Sequence, residues 1–174
     1  MITVFDIETS YQIIGKKKDP SFNDPNNFIV SIGLNDEYFF FNHSEYKGEP
    51  DIKSVQDILD KTTLLVGHNI KFDLAWLLAT GFTYSGKIYD TMIGEYVLNR
   101  GVKKSLKLKH CCERRNVHRK SDLTESYIER DISFENIPMK IVDEYGRQDV
   151  LATRALFNSQ MEDFKKPSNK GLIN

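Results

Sequence analysis

The chain has 174 residues, a formal net charge of −1, 40% hydrophobic and 28% charged residues, which is the size and balance of one globular domain and not of a disordered or strongly basic chain. Met1-Ile-Thr-Val-Phe-Asp6 has no basic segment ahead of its apolar residues, so it is no secretory signal, and no apolar run approaches the roughly 20 residues that span a bilayer. The two cysteines, Cys111 and Cys112, are adjacent and cannot staple the fold, so reduced thiols, a cytoplasmic location and no membrane association are expected.

Residues 2–7, rich in β-branched side chains, read as a buried strand. Residues 10–27, with Lys16-Lys17-Lys18, Pro20 and Pro25, read as a long loop. Phe28–Leu34 and Glu37–Phe41 around Asn35-Asp36 predict a hairpin. Asp51–Lys61 carries Ile52, Val55, Ile58 and Leu59 at helical spacing. Thr63–Gly67 is a second buried strand, and Phe72–Ala79 is an apolar helix stopped near Gly81. Asp90–Leu98 predicts a helix capped by Asp90, residues 100–120 are strongly basic, and Pro138 opens a long final helix ending near Phe164. The expectation is an α/β domain over residues 1–164, followed by a tail or interdomain linker over residues 165–174.

Three segments carry the candidate chemistry. In Phe5-Asp6-Ile7-Glu8-Thr9, residues two apart on a strand share a face, so Asp6 and Glu8 project together. Two such carboxylates repel and are costly to desolvate, and a divalent cation between them removes both costs. In Gly67-His68-Asn69-Ile70-Lys71-Phe72-Asp73, Asp73 shares a helical face with Ile70, Leu74 and Leu77. In Tyr145-Gly146-Arg147-Gln148-Asp149, Tyr145 and Asp149 stand one turn apart on a face shared with Ile141, Ala152 and Leu156. Each segment alone also fits a bland reading: solvated acids at a turn, a helix-start acid favoured by the macrodipole, or a core tyrosine. Four acids expected to face inward from three separate elements have a common reason to be there in a metal site.

These segments, in this order and with the helix Tyr89-Asp90-Thr91-Met92-Ile93-Gly94-Glu95-Tyr96 between the second and third, resemble the DEDD 3′→5′ exonucleases of the subgroup with tyrosine in the third motif. The combination is most similar to the proofreading domain of family A, DNA polymerase I-like polymerases, and the start close to Met1 is similar to phage members. The resemblance covers most of residues 1–164 and implies a ribonuclease H-like fold with a mixed sheet of about five strands flanked by helices. It implies hydrolysis from the 3′ end of single-stranded or frayed DNA to nucleoside 5′-monophosphates. It implies two divalent cations, Mg²⁺ or Mn²⁺, on Asp6, Glu8, Asp73 and Asp149. Tyr145 would orient the attacking water, and Thr9, Asn69 and Phe72 would contact the terminal nucleotides. For Phe72 the core reading is the preferred one, and Asn69 also reads as a turn residue at a strand end. Gln12 stands where many members place an apolar wedge, so the contacts to the terminal base are expected to differ. The stretch between the basic run and the last helix is shorter than in larger members.

Residues 100–120 carry nine Lys or Arg (100, 103, 104, 107, 109, 114, 115, 119, 120) against the single acid Glu113. This run reads as a phosphate-binding surface, or else as a solvated helix face, and Lys16–Lys18 has the same two readings. His110, Cys111, Cys112 and His118 lack the spacing of a zinc set, and Trp76 reads as core. A ribonuclease D-like exoribonuclease shares the acids and the tyrosine and is the second enzyme reading, since no motif reports the contact with a 2′-OH that would separate RNA from DNA. A catalytically silent binding module of the same fold is the alternative outside enzymes. A DNA polymerase module is a possible partner, because these residues contain no polymerase motif.

Overall fold

A computed structural model describes residues 1–118 and 123–172. The strands are β1 (Ile2–Thr9), β2 (Gln12–Ile14), β3 (Lys17–Asp19), β4 (Ile29–Leu34), β5 (Glu37–Phe40), β6 (Leu64–Gly67) and β7 (Lys87–Asp90). The helices are α1 (Ile52–Lys61), α2 (Ile70–Ala79), α3 (Thr91–Leu98), α4 (Leu108–Arg115), α5 (Glu125–Ile128) and α6 (Met139–Phe164), with short 3₁₀ turns at Phe134–Asn136 and Pro167–Asn169.

Period-two alternation along β1 sorts its side chains to two faces. Phe5 and Ile7 join Ile32, Leu34, Leu59, Leu65, Trp76 and Leu77 in the larger core, under α1 and α2. Val4 joins Val66, Val150 and Phe157 on the other face, under α6. Asp6 and Glu8 continue the Val4 face, so the strand aims both acids at α6. The main sheet has the order β5-β4-β1-β6-β7. β1 is antiparallel to β4 and parallel to β6, and β6 is parallel to β7. This is the mixed five-stranded sheet flanked by helices of the ribonuclease H-like fold.

Most elements lie where the pattern puts them. Asp51 caps α1 by accepting from Ser54 N at 2.9 Å, and Asp90 caps α3 by accepting from Met92 N at 2.8 Å. Three expectations are revised. Residues 10–27 are not all loop: β2 and β3 pair through Ile13↔Lys18, turning at Gly15 with φ +66°. The lysine-rich composition concealed this ribbon, because its strands are only three residues long and largely exposed. Edge strand β7 was not anticipated, since four half-exposed residues leave no periodic signal. α2 starts at Ile70, two residues early, from an Asn69 in the left-handed region at φ 61°.

α6 lies close to the sheet because two glycines leave room. A Cβ on Gly33 would stand 2.8 Å from Val150 Cγ2, and one on Gly146 would stand 2.1 Å from the Tyr38 hydroxyl. Gly146→Ala is therefore expected to destabilise the fold, although alanine favours a helix interior by about 1 kcal/mol. Relieving the overlap displaces Tyr38, whose hydroxyl is hydrogen-bonded to Ser31 Oγ at 2.8 Å and donates to Val142 O at 3.2 Å. Overpacking of this kind costs about 1–3 kcal/mol, a net fall of a few degrees in Tm by thermal denaturation. A rise in Tm would show that Tyr38 rotates away at no cost.

Over residues 165–172 the segment expected as a linker or tail is held to the domain. Arg100 donates to Ser168 O and, at 3.1 Å, to Asn169 Oδ1, while Asn169 Nδ2 donates to Asp163 O at 2.8 Å. No helix among the described residues is long and apolar enough to cross a membrane.

Candidate functional site

β1 and α6 bring three of the four expected acids together. Carboxylate oxygens of Asp6, Glu8 and Asp149 all lie within 4.8 Å of one another. Glu8 and Asp149 are buried, at 8% and 5% exposure, and Asp6 is half-buried. A β-bulge between Glu8 and Thr9 marks the end of the regular strand beside them.

Tyr145 sits one helical turn before Asp149 and donates its hydroxyl hydrogen bond to that carboxylate. Burial, then the charges of Glu8, Asp149 and Asp6, push the phenol far above its usual range, so it stays protonated. Its ring packs on Phe134 with centroids 5.7 Å apart. Tyr38 is a neighbour that the sequence pattern did not single out. Its phenol is raised by burial and by the charge of Glu8, and its only sequence signal was alternation along β5.

Asp73 approaches from the opposite face of the sheet and stands outside the group of three. The ladder between β1 and β6 ends at Val4↔Val66, and Asp73 accepts a hydrogen bond from the Ile7 N–H beyond it. Burial, followed by the nearby charge of Asp6, raises the Asp73 carboxyl well above the ordinary range. Asp90 also faces Asp73, and its Oδ1 accepts from Asn69 N at 3.0 Å as well as from Met92 N. One carboxylate thus fixes the entries of both α2 and α3. Of the expected nucleotide contacts, Asn69 is exposed with no side-chain cap bond, Thr9 is buried at 7% exposure, and Phe72 packs against the core. His68 donates from Nε2 to Leu106 O at 2.8 Å, which holds the basic segment to this end of the sheet.

The basic run divides. Arg114 and Arg115 are not offered to a ligand: they pair with the buried Glu95 at 3.1 and 2.5 Å, and Arg115 also pairs with Asp163 at 2.6 Å. Arg100 holds the tail. Lys103, Lys104 and Lys107 are exposed, and Arg119 and Lys120 lie outside the described residues. Glu95 lay in a resembling segment but drew no role from its sequence context, and its i,i+1 arginine partners are about twenty positions away. His118 reaches Gln148 Oε1 at 3.0 Å, next to Asp149 in sequence. Cys111 and Cys112 are core, packed with Leu108, Ala152 and Leu156, and Trp76 is core as expected.

Three close carboxylates, two of them buried, form an all-oxygen donor set that suits a hard divalent cation of the Mg²⁺ or Mn²⁺ class. A family model described as 3′-5′ exonuclease, the domain found in polymerases of the DNA polymerase A type, matches residues 20–163; the match begins past Asp6 and Glu8. DNA polymerase I of Borreliella burgdorferi is 27% identical over 134 residues, which is 70% of this chain and 14% of that protein. The chain therefore spans about one-seventh of that relative's length. Brucella melitensis NrnC with bound Mg²⁺ shares the fold at TM-score 0.65 and 18% identity, over 97% of this chain and 76% of that one. NrnC bound to pGG gives TM-score 0.65 and 18% identity over 97% and 75%. The catalytic core of RRP6 from Trypanosoma brucei gives 0.57 and 14% over 94% and 41%.

Proposed function

This chain belongs to the 3′-5′ exonuclease family, and from that premise we propose that it removes nucleotides from the 3′ end of DNA as nucleoside 5′-monophosphates. The observation that carries this reading is the convergence of Asp6, Glu8 and Asp149 within 4.8 Å, with Tyr145 bonded to one of them. Asp6, Glu8 and Asp149 would hold one divalent cation, and Asp6, with Asp73 nearby, a second. Bound there, the ions supply an activated water and compensate charge on the departing 3′ oxygen. Tyr145, whose hydroxyl donates to Asp149, would orient that water through its oxygen lone pairs. Thr9 and Asn69 would contact the terminal nucleotide, while Phe72 packs against the core.

DNA is favoured by the family model and by the polymerase I relative, which also suggests a polymerase module as partner. RNA is the second reading, supported by the fold neighbour solved with pGG and by the RRP6 core.

The test uses 5′-labelled single-stranded DNA and RNA of one sequence with Mg²⁺, then Mn²⁺, resolved on a sequencing gel. The expected result is a DNA ladder shortening one nucleotide at a time from the 3′ end. Tyr145→Phe is expected to slow it about tenfold, since the orienting group is lost while the carboxylates stay. Shortening of RNA alone would replace the substrate assignment. Intact DNA and RNA, together with no heat of Mn²⁺ binding by calorimetry, would leave a silent binding module.

A further inference from the structure

Two segments flank the acidic cluster, and one lysine joins them. The first, residues 10–28, leaves β1 directly after Glu8 and Thr9 and returns to begin β4. Its neck is closed by Ser10 N donating to Phe28 O at 3.0 Å, and β2 and β3 pair along its middle. Toward α2, the buried Trp76 donates from Nε1 to Pro20 O at 3.1 Å, and Phe22 meets the Trp76 ring edge-on at 6.4 Å. Trp76 stands one turn past Asp73.

The second segment runs from α5 through the Phe134 turn into α6, and ends against the Tyr145 ring. Lys18 on β3 reaches it. Its Nζ donates to Ile128 O, pairs with Asp131 at 3.2 Å, and lies 5.1 Å over the Tyr11 ring. The first segment is thus tied on one side to α2, which packs on one face of the sheet. On the other side it is tied to the chain leading into α6, which packs on the opposite face. Held at both places, it straps the end of β1 where the acids stand.

We propose that Lys18 latches this strap and is a specificity-determining residue: the latched strap admits an unpaired 3′ strand and holds a duplex end off. This rests on the nuclease reading above. The two ties differ in strength. Trp76 is 2% exposed and belongs to the main core, so releasing its tie would leave a buried indole N–H without its acceptor. The Lys18–Asp131 pair has side-chain exposures of 32% and 60%, and such pairs contribute little and weaken with salt. The strap therefore opens from the Lys18 side. While it is latched, a duplex must melt before its 3′ strand reaches the acids, and each base-pair step melted costs about tenfold. An unpaired strand meets no such cost.

The experiment compares kcat/KM of the full chain on a single-stranded oligonucleotide, a blunt duplex of the same sequence and a dinucleotide, for wild type, Lys18→Ala and Asp131→Asn. Wild type is expected to prefer the single strand. Both variants are expected to reduce that preference about two- to fivefold, the range open to an exposed ion pair, with dinucleotide turnover unchanged. Combining them is expected to add nothing. An unaltered preference would overturn the proposal. So would an equal loss on all three substrates, which would make Lys18 a support for Tyr145 and not a selector. Anisotropy titrations of the same DNAs in an Asp6→Ala background read the selectivity without turnover. A preference that shifts there, while the chain with Asp6 intact hydrolyses none of the three substrates, would keep the latch and remove the nuclease reading. No binding of either DNA would remove both.

Discussion

Replacing Asp149 with alanine is expected to lower turnover about a thousandfold or more while leaving the fold intact. Asp149 is one of three acids whose oxygens gather within 4.8 Å, and it also accepts the Tyr145 hydroxyl. Its loss removes a cation ligand and the partner that aims Tyr145, so two contributions to the reaction fall together. Stability responds differently. One fewer buried carboxylate relieves repulsion in the metal-free protein, against the loss of one hydrogen bond of about 1 kcal/mol. The Tm of the metal-free variant should therefore stay within a few degrees of wild type. The added cation separates the two proteins. At a hundredfold excess over Kd it stabilises the wild type by about 2.7 kcal/mol, which is roughly 5–11 °C in Tm for a chain of this size, and the variant gains little. Differential scanning fluorimetry with and without Mg²⁺ or Mn²⁺, beside the gel assay, reads both effects. Full activity in Asp149→Ala, or in Asp6→Ala, would end the metal assignment. A collapse of the metal-free variant would mean that these acids serve the fold.

Why these residues were readable in advance, and others were not, follows from the range over which each signal acts. Asp6 and Glu8 share a face because a strand repeats every two residues, and Tyr145 and Asp149 share one because a helix repeats every 3.6, so local periodicity aimed both pairs. That β1 and α6 meet depends on Gly33 and Gly146 letting the helix down onto the sheet, a contact between chain-distant surfaces with no local pattern. Asp73 was rightly placed on an inward helical face, yet it comes in from the α2 side and lies beyond the three-acid group. The sheet was legible where strands are buried on both faces, as in β4, and illegible in β7 and the β2–β3 ribbon, where exposure erases alternation. Composition misled most in the basic run. Counting charges cannot distinguish a lysine in water from an arginine on a buried acid, and Glu95 lies about twenty residues upstream of the arginines it holds.

That buried acid is also where the largest loss of stability is expected. Glu95 is 2% exposed on α3, and it receives Arg114 and Arg115 from α4 and Gln160 Nε2 from α6 at 3.2 Å. Arg115 in turn reaches Asp163 and Ser159 on α6, so three helices share one polar network. Burial alone would raise the Glu95 carboxyl, but the hydrogen bonds and charge of Arg115, with Gln160 and Arg114, hold it below the usual range. A buried pair of this kind need not out-stabilise an apolar replacement, but breaking it from one side strands the other charge, at a cost of about 3–5 kcal/mol. Glu95→Ala leaves the Arg115 side chain, 12% exposed, with Asp163 as its remaining carboxylate partner, so the low end of that range applies and a fall of roughly 6–12 °C in Tm follows. The sign of the pH dependence is fixed by the direction of the shift. A depressed carboxyl contributes stability above its unfolded pKa and loses it as pH falls through the folded one. The gap between wild type and Glu95→Gln should therefore be widest near neutrality and narrow below the ordinary glutamate range. Equilibrium denaturation across that range checks both. A gap that does not change with pH would mean that packing of α3 on α6, and not the charge of Glu95, holds the three helices together.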